Sequence, residues 1–281
     1  MTCPICQDTH WKSIEKNGVE VVVRCDCWRQ SLVTRTLAAA GIPAGYQHCE
    51  LSNFDTRGAN TLIRALSLAK KFAAGFPVVE KGLFLLGPTG VGKTHLSVAI
   101  LREVIRNAGA RAFFYKAGEL LQKIRNTYNA SVDQTELEVL QPIFDAELLV
   151  LDDVGVGKPS EWVQETLGIL IDKRYSSRQP TILTGNLNDA STPPDLFDSV
   201  QYKLGPRTRS RLLEMCEFVF MESHDLREVG KDPTEDAIER YNRRQKNLRQ
   251  AGTAEPKNMA KARLRPTGGA DLKWTGGKAG S

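Results

Sequence analysis

Between residues 81 and about 227, short apolar runs alternate with longer segments whose apolar residues recur every three or four positions. Five of the short runs have the character of strands: GLFLL, RAFFY, ELLVLDD, PTILTGN and CEFVFM. Strands that are apolar on both faces and alternate with helices are typical of a parallel sheet with helices on both sides. The pattern therefore predicts an α/β fold with a parallel sheet.

The segments on either side of this core have different patterns. Residues 1–28 are rich in cysteine and contain one β-like run, VEVVVRC. Two stretches in residues 29–77, ending LAAAG and KFAAG, have helical periodicity and close on a glycine of the kind found after helices. Beyond residue 229 large apolar residues become rare. We therefore expect a metal-binding module at 1–28, a helical linker region at 29–77, the α/β domain at 78–229 and a basic, largely disordered tail at 230–281.

Composition excludes several classes of protein. The chain has 281 residues and is 41% hydrophobic, which is ordinary for a globular core. No apolar run approaches the length of a membrane span, and the N-terminus lacks the apolar region of a secretory signal. We expect a cytoplasmic protein without a membrane partner.

Positive charge is concentrated at the C-terminal end. The formal net charge is +5, and from Lys231 onward Lys and Arg outnumber Asp and Glu by about two to one. Such a tail suits contact with nucleic-acid phosphates, and Trp274 offers a face on which a base could stack. The alternative is a disordered extension that only improves solubility.

A phosphate-binding loop follows the first strand of the α/β core. The pattern G-x-x-x-x-G-K-[ST] is matched by Gly87, Pro88, Thr89, Gly90, Val91, Gly92, Lys93 and Thr94. Glycines let the backbone turn its N–H groups towards a phosphate, and the following helix presents its positive end. Lys93 supplies a charge for the β- and γ-phosphates, and Thr94 offers a hydroxyl to Mg²⁺. The sequence therefore predicts a site for ATP with Mg²⁺.

Two further strands end in polar residues that suit the same site. Asp152 and Asp153 end the run ELLVLDD, where one carboxylate could hold Mg²⁺ and the other could position or deprotonate water. We assign Asp152 to the metal and Asp153 to the water. Asn186 ends PTILTGN and could contact the γ-phosphate or the water, although it could also cap a helix.

Arginines near the C-terminal end of the core are candidates for charge stabilisation. Arg207, Arg209 and Arg211 lie at the start of an apolar helical segment. An arginine can stabilise a transferring phosphoryl group from a neighbouring subunit. The alternative is a basic surface patch or a nucleic-acid contact. Arg227, after the last strand, is a candidate for a nucleotide-sensing contact within its own subunit.

The cysteines of the first module have the spacing of a zinc site. Cys3-x-x-Cys6 and Cys25-x-Cys27 are separated by a span long enough for a hairpin, so four thiolates could surround one Zn²⁺. Free thiols or a disulfide are the alternatives. His10 could replace one ligand, although an exposed residue beside Trp11 is the simpler interpretation.

The order of these motifs resembles the AAA+ ATPases of the DnaC/IstB type. The resemblance is carried by GPTGVGKTHL, LLVLDDVG, PTILTGN, RSRL and SHDLR, preceded by GIPAGYQHCELSNFD. It implies a Walker A motif at 87–94, a Walker B motif at Asp152 and Asp153, sensor 1 at Asn186, an arginine finger at Arg211 and sensor 2 at Arg227.

The resemblance also implies a function. Loaders of this family bind ATP and single-stranded DNA and self-associate in an ATP-dependent assembly. They bind a replicative helicase of the DnaB type through their N-terminal part and deliver it onto DNA. The alternatives are a transposition helper ATPase of the IstB type and a zinc-containing adaptor that binds ATP without significant turnover.

Overall fold

The computed structural model describes most of the chain up to residue 225 and short stretches beyond it. The described residues are 3–56, 59–129, 135–189, 195–225, 228, 230, 234, 236–241 and 243–244. For residues 195 and 196 only the backbone is described. The chain divides into two compact units, Met1–Asp232 and Pro233–Ser281. In the second unit residues 236–241 are helical. Most of the predicted basic tail, including Trp274 and all residues from 245 onward, lies outside the described residues.

The first unit begins with a small hairpin. Strand β1 (Trp11–Lys16) pairs antiparallel with β2 (Val19–Arg24). Asn17 and Gly18 connect them with φ values of 55° and 76°, as two-residue hairpin turns require. Helix α1 (Asp26–Ala39) follows directly.

A five-stranded parallel sheet forms the centre of the first unit, as the sequence predicts. Its strands are β3 (Gly82–Leu86), β4 (Ala112–Lys116), β5 (Leu148–Asp152), β6 (Thr181–Gly185) and β7 (Cys216–Phe220). Their order is β4-β5-β6-β3-β7, and all neighbouring pairs are parallel. The first strand in sequence therefore lies between the last two.

Helices cover both faces of this sheet. They are α2 (Asn60–Gly75), α3 (Lys93–Ala108), α4 (Ala117–Asn126), α5 (Glu136–Phe144), α6 (Glu161–Ser176), α7 (Val200–Leu204) and α8 (Pro206–Met215). Leu83 and Leu85 of β3 pack with α2 and α3 in one core, while Phe84 and Leu86 pack with α4 to α8 in the other. Both faces of the strand are buried, so the apolar run is continuous. This is the AAA+ P-loop fold.

Several local features differ from the expectation. The α2 helix ends on Gly75 itself, because Pro77 favours an extended Phe76, whose ψ is 137°. Strand β1 and helices α5 and α7 lie in segments for which the sequence predicts no element.

None of the helices in the described part of the chain combines the length and apolar character that a bilayer crossing needs.

Candidate nucleotide-binding site

The candidate site lies where β3, β5 and β6 end. Parallel strands bring their carboxyl ends to one edge of a sheet, and ligands bind where the order of strands reverses. Here the chain leaves β3 for the distant edge strand β4 and later returns from β6 past β3 to β7. The loop between β3 and α3 lies at this reversal.

The backbone of that loop requires its glycines. Gly87, Gly90 and Gly92 have φ values of 144°, 79° and 96°. A Cβ on Gly87 would overlap the carbonyl oxygen of Met221, and one on Gly92 would come within 2.8 Å of the Phe54 ring. Since α3 starts at Lys93, its N-terminus faces the loop and favours an anion there.

The ammonium group of Lys93 is enclosed by oxygen atoms. Its Nζ donates to the carbonyl oxygens of Gly87 at 2.9 Å and Pro88 at 2.7 Å, and to Asn186 Oδ1 at 2.6 Å. Lys93 is only 7% exposed. The charge is therefore held inside the loop, where an anion would meet it with little competition from solvent.

Asn186 connects β6 to the same loop. Its amide accepts from Lys93 and donates from Nδ2 to Thr89 Oγ1 at 3.2 Å. The structure thus brings together two residues that are 93 positions apart in the sequence.

Asp152 forms the centre of a buried polar cluster. Its Oδ1 accepts from Thr94 Oγ1 at 2.8 Å and from Thr184 Oγ1 at 2.7 Å. Burial raises the pKa of Asp152, while the hydrogen bonds from Thr184 and Thr94 lower it. The hydroxyl of Thr94 and this carboxylate are the hard oxygen donors that Mg²⁺ prefers, so they fit the predicted ion.

Thr184 was not identified from the sequence. Its hydroxyl also accepts from the backbone N–H of Asp153 at 2.9 Å, so it ties β6 to Asp152 at the end of β5 and to Asp153 directly after it. It is 1% exposed and follows the apolar residues Ile182 and Leu183 in β6. A polar residue two positions before the strand-end asparagine was the available signal.

Asp153 has a different environment from its neighbour. Its φ is 61°, and its side chain is exposed and lines a cavity of about 100 Å³. Lys158 and Lys203 line this cavity as well, together with Gly118 at the start of α4. Asp153 is thus next to Asp152 in the chain but lies beside lysines.

The arginines of α8 form ion pairs within the chain. Arg211 Nε lies 2.7 Å from Asp172 on α6, and Arg207 Nη2 lies 3.1 Å from the same carboxylate. Arg209 meets Asp189 through two nitrogens, at 2.6 and 2.7 Å. Arg211 is therefore engaged with α6 and not with the phosphate loop of its own chain. Arg227 lies outside the described residues.

The cysteines of the hairpin module converge. The Sγ atoms of Cys3, Cys6, Cys25 and Cys27 all lie within 4.8 Å of one another. The Cys6–Cys27 and Cys3–Cys25 sulfur distances are 3.2 and 3.8 Å. Zinc–sulfur bonds of about 2.3 Å in a tetrahedron place sulfurs about 3.8 Å apart, so the cluster fits Zn²⁺.

The residues around the cluster support its shape. Nδ1 of His10 lies 3.4 Å from Cys27 Sγ. The backbone N–H of Cys25 donates to His10 O at 2.9 Å, and that of Cys3 to Asp8 Oδ1 at 2.8 Å. The two cysteine pairs are therefore fixed to each other through the polypeptide backbone at the base of the hairpin.

Comparison with known proteins places this geometry in a family. The model of the IstB-like ATP binding proteins matches residues 12–232. The chain belongs to this family. Its relatives include the DnaC proteins, so the chain is a DnaC/IstB-type AAA+ ATPase, as its motifs indicate.

Three relatives illustrate the relationship. The replicative helicase loader DnaC of Escherichia coli (strain K12) is 26% identical over 207 residues, covering 73% of this chain and 80% of that protein. The phage-like element PBSX protein XkdC of Bacillus subtilis (strain 168) is 25% identical over 195 residues, covering 66% and 71%. A crystal structure of the DnaC helicase loader is 28% identical with a TM-score of 0.57, covering 64% of this chain and 100% of that one.

Proposed function

We propose that the chain is an ATP-dependent loader that delivers a DnaB-type replicative helicase onto single-stranded DNA. Two relatives described above are named as helicase loaders. The observation that carries the ATP part is the convergence of Lys93, Thr94, Asp152 and Asn186 at one edge of the sheet.

In the proposed site, residues 87–92 wrap the phosphates with backbone N–H groups while Lys93 neutralises them. Thr94 and Asp152 would hold Mg²⁺, which would neutralise charge on the phosphates. Asn186 already touches Lys93 and Thr89, so it is positioned to contact the terminal phosphate when Lys93 turns to the nucleotide. Arg227 is assigned to nucleotide sensing.

Turnover requires two further contributions. Asp153 must orient the attacking water, although its side chain lines the same cavity as Lys158 and Lys203. Arg211 must leave Asp172 and reach the site of a neighbouring subunit, since it is paired within its own chain. Both requirements predict slow hydrolysis by the isolated chain and faster hydrolysis in an assembly on DNA.

The helicase partner is assigned to the N-terminal module. The module is held together by four cysteines and a two-stranded ribbon, and Trp11, Val19 and Val22 are 47%, 61% and 64% exposed. Apolar side chains at the surface of so small a unit suit contact with another protein. The cysteine cluster also favours a loader over the transposition helper.

An ATP-binding and phosphate-release experiment tests the nucleotide part. Lys93→Ala should abolish ATP binding, and Asp153→Asn should bind ATP but release little phosphate with single-stranded DNA. Lys70→Ala, which removes an exposed lysine of α2, is the matched control and should behave as wild type. Unchanged ATP affinity in Lys93→Ala would remove the site assignment.

A pull-down of the tagged chain with ATP tests the partner. A replicative helicase should be retained, and Cys25→Ser should lose it without losing ATP binding. Retention of a transposase instead would favour the transposition helper. Helicase retention without DNA-stimulated phosphate release by wild type would favour the adaptor.

A further inference from the structure

Arg209 of α8 makes a different ion pair from its neighbours. Both Nε and Nη2 of its guanidinium meet the two oxygens of Asp189, at 2.6 and 2.7 Å. Both side chains are 28% exposed, and the hydrogen bond that Arg209 donates to Asp189 raises the pKa of Arg209. Bidentate pairs of this kind fix orientation as well as distance.

Asp189 belongs to the segment that carries Asn186. Strand β6 ends at Gly185, and residues 186–189 follow it directly. Within this segment Asn188 forms a parallel bridge with Ser199, just before α7. The Asn188 N–H donates to Asp198 O at 3.0 Å, and the Val200 N–H donates to Asn188 O at 2.9 Å. The segment is therefore fixed to α7 by its backbone and to α8 by Arg209.

The other two arginines of α8 point away from this segment. Arg207 and Arg211 are four positions apart, so they share one face of the helix, and both contact Asp172 of α6. Arg209 is two positions from each and lies on a different face. The short helix α8 therefore joins two parts of the proposed site. One is the segment of Asn186, and the other is Arg211, the candidate trans arginine, which would act at the nucleotide site of a neighbouring subunit.

We propose that Arg209 is a positioning residue that couples the nucleotide site of its own subunit to the arginine that the same subunit presents to its neighbour. This inference rests on the proposed function. Movement of Asn186 towards a bound nucleotide would shift Asp189, and the bidentate pair would carry α8 and Arg211 with it.

The test mixes two kinds of subunit so that only one nucleotide site and one arginine act together. The donor carries Asp153→Asn, so it binds ATP without turnover and contributes Arg211. The acceptor carries Arg211→Ala and contributes a competent nucleotide site. DNA-stimulated phosphate release by the equimolar mixture, absent from either variant alone, then reports the donor's Arg211 at the acceptor's site.

Arg209→Ala is next placed in one kind of subunit at a time. In the donor it should lower kcat by roughly ten- to a hundredfold at unchanged KM for ATP, because a misplaced group loses rate more than binding. In the acceptor, Arg209→Ala should leave most of the DNA-stimulated phosphate release intact. The charge exchange Arg209→Asp with Asp189→Arg in the donor should restore part of the lost rate.

The control and the outcomes below distinguish a coupling role of Arg209 from a general effect of losing an ion pair. Arg64→Ala, which removes the Arg64–Glu217 ion pair between α2 and β7, is the matched control in the donor and should have no effect. Equal loss from Arg209→Ala in donor and acceptor, or no loss in the donor, would overturn the coupling role. An inactive reference mixture would refute the trans arginine of the proposed function, and the inference would fall with it.

Discussion

Thr184→Val is the sharpest single test of the acidic cluster. The substitution keeps the shape of the side chain and removes a hydroxyl that is 1% exposed. That hydroxyl donates to Asp152 Oδ1 at 2.7 Å and accepts from the Asp153 N–H at 2.9 Å. Valine therefore leaves the Asp152 carboxylate and the backbone N–H of Asp153 without this hydrogen-bond partner.

The expected cost follows from the two hydrogen bonds. A bond to a neutral backbone group contributes about 0.5–1.5 kcal/mol and one to a charged acceptor about 1.5–3 kcal/mol. The free energy of unfolding should therefore fall by about 2–4 kcal/mol without nucleotide. The bond to Asp152 also lowers the pKa of that carboxyl, so its loss should raise this pKa further.

The sign of the pH effect follows from that direction. Burial already raises the pKa of Asp152 in the folded chain, so its protonated form favours folding at low pH, and this contribution is lost as pH rises through the folded pKa. Mg²⁺ requires the ionised carboxylate. Thr184→Val should therefore lose Mg²⁺-dependent ATP binding at a higher pH than wild type as the pH is lowered.

Thr181→Val is the matched control on the same strand. Its hydroxyl is also buried and accepts from Arg174 Nε at 2.7 Å and donates to Gln179 O at 3.2 Å, far along β6 from Asp152. Denaturant unfolding should show a similar loss of stability for both variants. A Mg²⁺ titration of ATP binding should change its pH dependence only in Thr184→Val, and the same pH profile in both would refute the reasoning.

Three further substitutions test separate parts of the structure. Gly87→Ala should destabilise the fold by more than about 2 kcal/mol and abolish ATP binding, because its Cβ would overlap the Met221 carbonyl; a wild-type melting curve would count against this packing. Cys25→Ser should lower the zinc content from near one per chain, measured by atomic absorption, and an unchanged content would exclude this cysteine as a ligand. Arg174→Met should lower the unfolding free energy by about 3 kcal/mol or more in a denaturant titration, because a fully buried guanidinium satisfies three backbone carbonyls.

The contiguous part of the site could be predicted from the sequence. The phosphate loop is one uninterrupted motif between a buried strand and a helix, so its glycines and Lys93 needed no tertiary information. Asp152 and Asn186 were found because each ends an apolar run. The alternation of strands and helices likewise predicted the five-stranded parallel sheet.

The parts that escaped prediction depend on contacts between distant segments. Thr184 acquires its role only when β6 lies beside β5, and the Arg209–Asp189 pair depends on how α8 packs. Strand β1 lacks a pattern for another reason. Most of its residues are exposed, so pairing with β2 and the cysteine cluster must stabilise it without a buried face.

The order of strands explains why residues far apart in the sequence form one site. Because β6 lies between β5 and β3, Asn186 stands between Asp152 and the phosphate loop, within reach of Lys93. The chain must then pass from β6 across β3 to reach β7, and α7 and α8 lie on that path. Helix α8, which bears the candidate trans arginine Arg211, thus belongs to the connection that starts at Asn186 in the proposed site. A change at Asn186 has a short covalent and ion-paired route to Arg211, so nucleotide state and subunit contact can be linked without movement of the sheet.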